Sequence, residues 1–166
     1  MMPCIQSRLM SADWSNKYLR EIVVEWFERS AHSEKWPSIF DRFIFLWIAF
    51  DAWGSNESRQ MNDKMIDWLK TSQLKDVFRR IRPGIEDDLK RLSQKGDIPN
   101  HVTEGAMIRL HDPHDFHKLM DVIYQIRNNL FHGHKSPNDS NDRELVTFAY
   151  NILSPLLRPF VDNLRY

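Results

Sequence analysis

The stretch Tyr124-Gln-Ile-Arg-Asn-Asn-Leu-Phe-His-Gly133 gathers the side chains best suited to chemistry in this chain. An imidazole titrates near neutral pH and can take or give a proton. A guanidinium offers a fixed fork of donors to phosphate-like oxygens. An amide can serve either partner. His132, Arg127 and Asn128 supply all three within six residues. On a helix at 100° per residue, Ile126 and Leu130 face a core. Asp121, Gln125, Asn128 and His132 form a second, polar stripe, and Arg127 lies on the flank beside Met120, Tyr124 and Phe131. Arg127 and His132 are then about 140° apart, so one regular helix does not let them touch. Either the helix ends at His132, as Gly133 permits, or a second copy of the chain brings its own pair to the same cleft.

Other residues compete for a role. Asp51 is the one charge within the apolar run Phe43–Trp53. A buried carboxylate needs a partner, and Arg127 is the candidate; otherwise Asp51 marks the last turn and reaches water. Lys70, Lys75, Arg79, Arg80 and Arg82 stand against Asp76 alone and form a candidate RNA-backbone patch or a solvated helix face. His111, His114 and His117 invite a metal reading. Steps of three interrupted by Pro113 fit a helical metal pair poorly, and no metal or other cofactor is expected. Trp47 and Trp53 belong to the core or an interface, while Trp14 and Trp36 stay open. Cys4, the single Cys, has no motif partner and cannot form an internal disulfide.

These residues need elements to hold them. The chain has 166 residues, 42% apolar, with 23 basic and 23 acidic side chains. That bounds one packed domain over 1–166 and disfavours a generally basic nucleic-acid binder. No apolar run reaches the roughly 18–20 residues of a membrane span, and the N-terminus lacks a signal-peptide pattern, so a cytoplasmic protein is expected. Five glycines and helical apolar spacing predict an all-α bundle. One helix is expected from about Asp13 to Arg29, capped by Asp13 or Ser15, and a second from Pro37, ending at Gly54. Short helices follow around Met61–Leu69, Leu74–Phe78 and Ile85–Leu92. Residues 94–113 read as loop. The motif helix spans about Pro113–His132. Asn141 and Glu144 resemble a capping box before a last helix that Pro155 and Pro159 should bend or break.

Arg127-Asn128-x-x-x-His132 resembles the R-x(4–6)-H signature of HEPN domains in its RN-x-x-x-H form. The wider segment LMDVIYQIRNNLFHGHKSPNDSNDRELVTFAYNIL is similar to the third and fourth helices of Apea-like HEPN proteins, and FDRFIFLWIAFDAWG to their apolar second helix. The resemblance covers 37–54 and 115–157 and leaves 58–113 as a variable helical insert. It implies an up-and-down bundle, a homodimer with a composite site, and RNA cleavage without metal through attack of the 2′-OH to give a 2′,3′-cyclic phosphate. His132 would be the acid or base, Arg127 the stabiliser of the phosphorane, Asn128 a ligand of the phosphate or an orienter of His132, and Asp51 a support. A role in toxin–antitoxin or anti-phage defence, with an antitoxin or defence partner, is likewise implied. HEPN toxins modified by a nucleotidyltransferase antitoxin carry Tyr two residues after the motif His. Here His134 stands there and is counted as supporting, so that regulation is not expected. The competing reading is a catalytically silent HEPN dimer that binds a nucleotide, RNA or partner protein.

Overall fold

A helix that is apolar on every side has to sit at the centre of its bundle, and the computed structural model puts it there. The structure describes residues 12–59, 63–101 and 103–165, with Asp63 by its backbone alone. Cys4 and Met61 lie outside the described residues. The elements run α1 (Lys17–Ala31), α2 (Ile39–Ser58), α3 (Asp63–Leu69), α4 (Leu74–Ile81), α5 (Glu86–Gln94), β1 (Ile98–Pro99), β2 (Met107–Ile108), α6 (Phe116–Phe131) and α7 (Ser140–Leu164). The expected all-α class is what the structure has, apart from one small antiparallel pair. α2 packs against α1 and α7, while α4, α5 and α6 close on α7. Phe43, Leu46, Phe50 and Trp53 of α2 have no exposed surface. Trp47 and Trp53 are core, as expected.

α1, α2 and α7 are also tied by polar bonds. Arg42 donates from Nε to the Ser30 carbonyl and from Nη2 to the Tyr150 hydroxyl, both at 2.9 Å, and Tyr150 donates to the same carbonyl at 2.9 Å. Trp14 donates from Nε1 to Glu57 at 2.6 Å. Trp36 lies edge-on to Phe45 at 5.1 Å.

Several expected boundaries move. Asn16, not Asp13 or Ser15, caps α1 by accepting from the Leu19 amide; Asp13 instead closes a turn on Ser15. Pro37 precedes the cap position Ser38 rather than opening the first turn. Gly54 does not end α2. The helix continues to Ser58 and stops at Arg59, whose φ is 53°. Gly54 serves close packing instead, since a Cβ there would come within 2.8 Å of the Met65 sulfur on α3. Asp139, not Asn141, caps α7 by accepting from the Asp142 amide. Glu144 is engaged elsewhere, with Lys95. Pro155 and Pro159 do not break α7. Each removes one ladder donor, at about 3 kcal/mol in a helix interior. Around them Ile152, Leu153, Leu156, Leu157, Phe160 and Val161 are fully buried, and that packing holds the helix through. Within 94–113, expected to be loop, Ile98 pairs with Ile108 and Pro99 with Met107.

Candidate functional site

Asp115 opens the motif helix by accepting from the Lys118 amide at 3.0 Å. The stripe Leu119, Val122, Ile123 and Ile126 is fully buried and fixes the rotation of α6 on the bundle. That rotation leaves Arg127 and Asn128 half-buried and Phe131 and His132 exposed. The helix ends at Phe131. His132 is the C-cap and donates its amide to the Asn128 carbonyl at 3.0 Å, and Gly133 follows with φ 75°. The expected glycine stop is therefore present, for the reason expected: a left-handed residue that releases the chain.

Arg127 sits among aromatic rings. Its guanidinium carbon lies 4.5 Å from the Phe131 ring centre, 5.4 Å from Trp47 and 6.0 Å from Tyr124. Nη1 donates to Asn128 Oδ1 at 2.9 Å, while Nε is buried without a partner. Ring faces attract a cation without consuming its donors. The group is held in place and keeps unused hydrogen-bonding capacity. Asn128 thus orients Arg127; no side-chain bond joins it to His132, whose ring makes no hydrogen bond to the described residues.

Asp51 is half-buried on α2. Burial pushes its carboxyl above the usual Asp range, and the charge of Arg127 only partly opposes this. The two sense each other but do not close an ion pair within 4.0 Å. Arg127 is thus an electrostatic partner of Asp51 rather than a bonded one.

The polar stripe contains two surprises. Gln125 is buried, not solvated, and its Nε2 donates to Asn129 Oδ1 at 2.8 Å. Asn129, absent from every candidate role, has no exposed surface. Its Nδ2 donates to the Pro99 carbonyl at 2.8 Å, and its Oδ1 accepts the His101 amide at 3.3 Å. Its own carbonyl accepts the His134 amide at 2.8 Å. One amide side chain therefore fastens the β1–β2 hairpin to the motif helix. The signal was in the sequence: Asn129 falls on the apolar stripe three residues after Ile126, where a polar group must be satisfied inside.

This fastening brings His101 from the insert onto His134. The two imidazoles stack with centres 4.9 Å apart at 28°. Beside them Lys135, with a side chain only 3% exposed, pairs with Asp142 at 2.7 Å. Burial acts to raise the Asp142 carboxyl, but Lys135, the Ser136 amide and the charge of His101 together hold it below the usual range.

The candidate backbone patch divides. Lys70 leaves it, pairing with Asp121 at 2.6 Å and Asp67 at 3.2 Å as a strut between α3 and α6. Arg79 pairs with Asp76 at 3.0 Å. No described carboxylate lies within 4.0 Å of Lys75, Arg80 or Arg82. Lys75, Arg79 and Arg82 line a cleft of about 270 Å³ with His114, His117 and Phe116. That cleft is at the N-terminal end of α6; at 1.5 Å per residue, His117 and His132 are about 20 Å apart. The structure does not bring the patch to the motif. His111, His114 and His117 do not converge either. His114 bonds Glu86 at 3.0 Å, and among the described residues no three His, Cys, Asp or Glu side chains form a metal-sized group. A larger cleft, about 710 Å³, lies between α5 and the start of α7, lined by Arg91, Lys95, Arg143 and Phe148.

No protein family, curated protein or solved structure matches the chain. Among the described residues no helix is long and apolar enough to cross a membrane.

Proposed function

We propose that the chain is an HEPN-type endoribonuclease that needs no metal. The carrying observation is Arg127: caged by Phe131, Trp47 and Tyr124, aimed by Asn128, and five residues before an exposed His132 at a helix end. In the reaction a base removes the proton of the ribose 2′-OH, the 2′-oxygen bonds to phosphorus, and the bond to the 5′-oxygen breaks. A proton goes to that leaving oxygen, and the product ends in a 2′,3′-cyclic phosphate. His132 acts as base or acid. Arg127 meets the charge that builds on the phosphorane oxygens, in a site where its desolvation by rings strengthens the attraction.

The exposure of His132 favours this reading over a silent binding module with that imidazole buried among apolar side chains. The same reading includes a homodimer. Phe131 is 45% exposed, and Ile44 and Ile48 of α2 are only half-buried. A second copy covering that apolar face would bring its own His132 and Arg127 to the same cleft. Toxin–antitoxin or anti-phage defence is the biological setting proposed, with RNA as substrate and an antitoxin or defence protein as partner.

The test is cleavage of a panel of structured and single-stranded RNAs in EDTA by the parent, His132→Ala and Arg127→Lys proteins. The parent is expected to cut and leave cyclic-phosphate ends. His132→Ala should lose about 10²–10⁴-fold in rate. Arg127→Lys keeps the charge but not the planar fork, and should lose roughly 10²-fold. Equal cutting by the parent and His132→Ala removes His132 from the mechanism.

A further inference from the structure

The stacked pair His101–His134 has no role in the cleavage just described. We infer that it is a base-binding platform for single-stranded RNA, where a nucleobase flanking the scissile phosphate lies. The inference rests on the ribonuclease reading and names how that site takes hold of its substrate.

Three observations carry it. First, both rings are exposed and nearly parallel, 28° apart with centres at 4.9 Å. Each has one face on the other, and both residues are exposed. Nucleobases stack on such flat, polarisable rings with little regard to sequence. Second, the rings are held without using their own nitrogens. The His101 amide donates to Asn129 Oδ1 and the His134 amide to the Asn129 carbonyl, so one buried residue sets both backbones. No hydrogen bond joins either imidazole to the described residues. The ring edges remain available to a base. Third, the platform adjoins the reacting end of the motif helix. His134 is two residues beyond His132, so their Cα atoms are at most about 7 Å apart, close to one nucleotide step. The nearby Asp142 carboxylate is neutralised by Lys135, so it does not confront a polyanion with a bare negative charge.

Platform and proton relay make opposite demands on substitution. A stacking ring can be replaced by Phe but not by Ala. A proton carrier can be replaced by neither.

The experiment measures anisotropy of a fluorescein-labelled, mixed-sequence 12-nucleotide single-stranded RNA on the full chain carrying His132→Ala, which leaves the probe intact. Adding His101→Ala should weaken binding roughly tenfold, within the range of one lost stack. Adding His101→Phe should hold affinity within about twofold of the His132→Ala protein. His134→Ala, which leaves the hairpin's bonds to Asn129 intact, should match His101→Ala and guards against a folding artefact. Unchanged affinity in both Ala variants overturns the platform, even if the parent cuts RNA. Equal weakening by Phe and Ala at His101 also overturns it. If the parent cuts no RNA but binding still depends on His101 with Phe rescue, the platform stands and the cleavage reading falls. If the His132→Ala protein binds no RNA while the parent cuts it, the platform falls and the cleavage reading stands.

Discussion

At the scale of single residues, Asp51 and Arg127 show how a half-buried charge strains a small core. A carboxyl whose folded pKa lies above its unfolded value of about 3.9 binds more protons folded than unfolded. Stability then falls as pH rises from that value through the raised one. Burial raises Asp51 in this way, with Arg127 only partly compensating. Ionised Asp51 therefore costs the fold something at neutral pH, and Asp51→Asn should lift that cost. The variant is expected to melt at or above the parent temperature at pH 7, by no more than ~3 °C, since the group is half-exposed. At pH 3 the difference should vanish, because the parent carboxyl is then protonated in the folded state. Calorimetry at the two pH values measures both. RNA cleavage by the same variant should fall, because Arg127 loses the charge that biases it. A variant that is stable but slow marks a residue kept for function. A variant that melts well below the parent at pH 7 shows that Asp51 is a structural partner instead.

At the scale of elements, Asn129 joins what the chain keeps far apart. Asn129→Ala leaves the Pro99 carbonyl, the His101 amide and the Gln125 side chain without their partner, at a cost of roughly 2–4 kcal/mol. The loss should be local: hydrogen exchange is expected to accelerate across residues 98–108 and at the His134 amide, while α2 and α7 keep the parent's protection. Uniform acceleration would make Asn129 an ordinary core residue. This coupling is also where sequence reading stopped. The helices were legible because apolar residues recur at helical steps over many turns, and Leu119, Val122, Ile123 and Ile126 are as buried as that pattern requires. Two-residue strands have no period to read, so the hairpin was invisible. Gly54 reads as a stop because helix interiors disfavour Gly, yet the approach of Met65 reverses that preference. Pro155 and Pro159 read as breaks for a similar reason, and core packing overrides them. Arg127, Asn128 and His132 were legible as side-chain types, but the ring cage of Arg127 needed Trp47, eighty residues earlier in the chain.

At the scale of the molecule, the proposed site pairs Arg127 either with the His132 of its own chain or with that of a second copy, and the two arrangements predict different outcomes. Five residues separate them on α6, with Arg127 held against the rings on one flank and His132 freed at the end. If two copies meet over Phe131 and the outer face of α2, two-fold symmetry places each Arg127 toward the partner's half of the cleft. Mixing two inactive variants decides the matter. In a heterodimer of Arg127→Ala and His132→Ala, one chain keeps His132 and the other keeps Arg127. If the pair works across the interface, one of the two sites is whole and the other doubly broken. Statistical mixing then makes about half of all dimers hybrid, each with one intact site, and restores roughly a quarter of parent activity. If the pair works within a chain, neither site is whole and the mixture stays inactive. Ile44→Asp puts a charge into the proposed contact while leaving the rings around Arg127 in place, and should give a monomer by light scattering. In the cross-subunit case that monomer is folded but inactive, and in the other case it still cuts. A chain that is monomeric before any substitution and cuts RNA excludes the composite site and leaves His132, Arg127 and the His101–His134 platform to act within one copy.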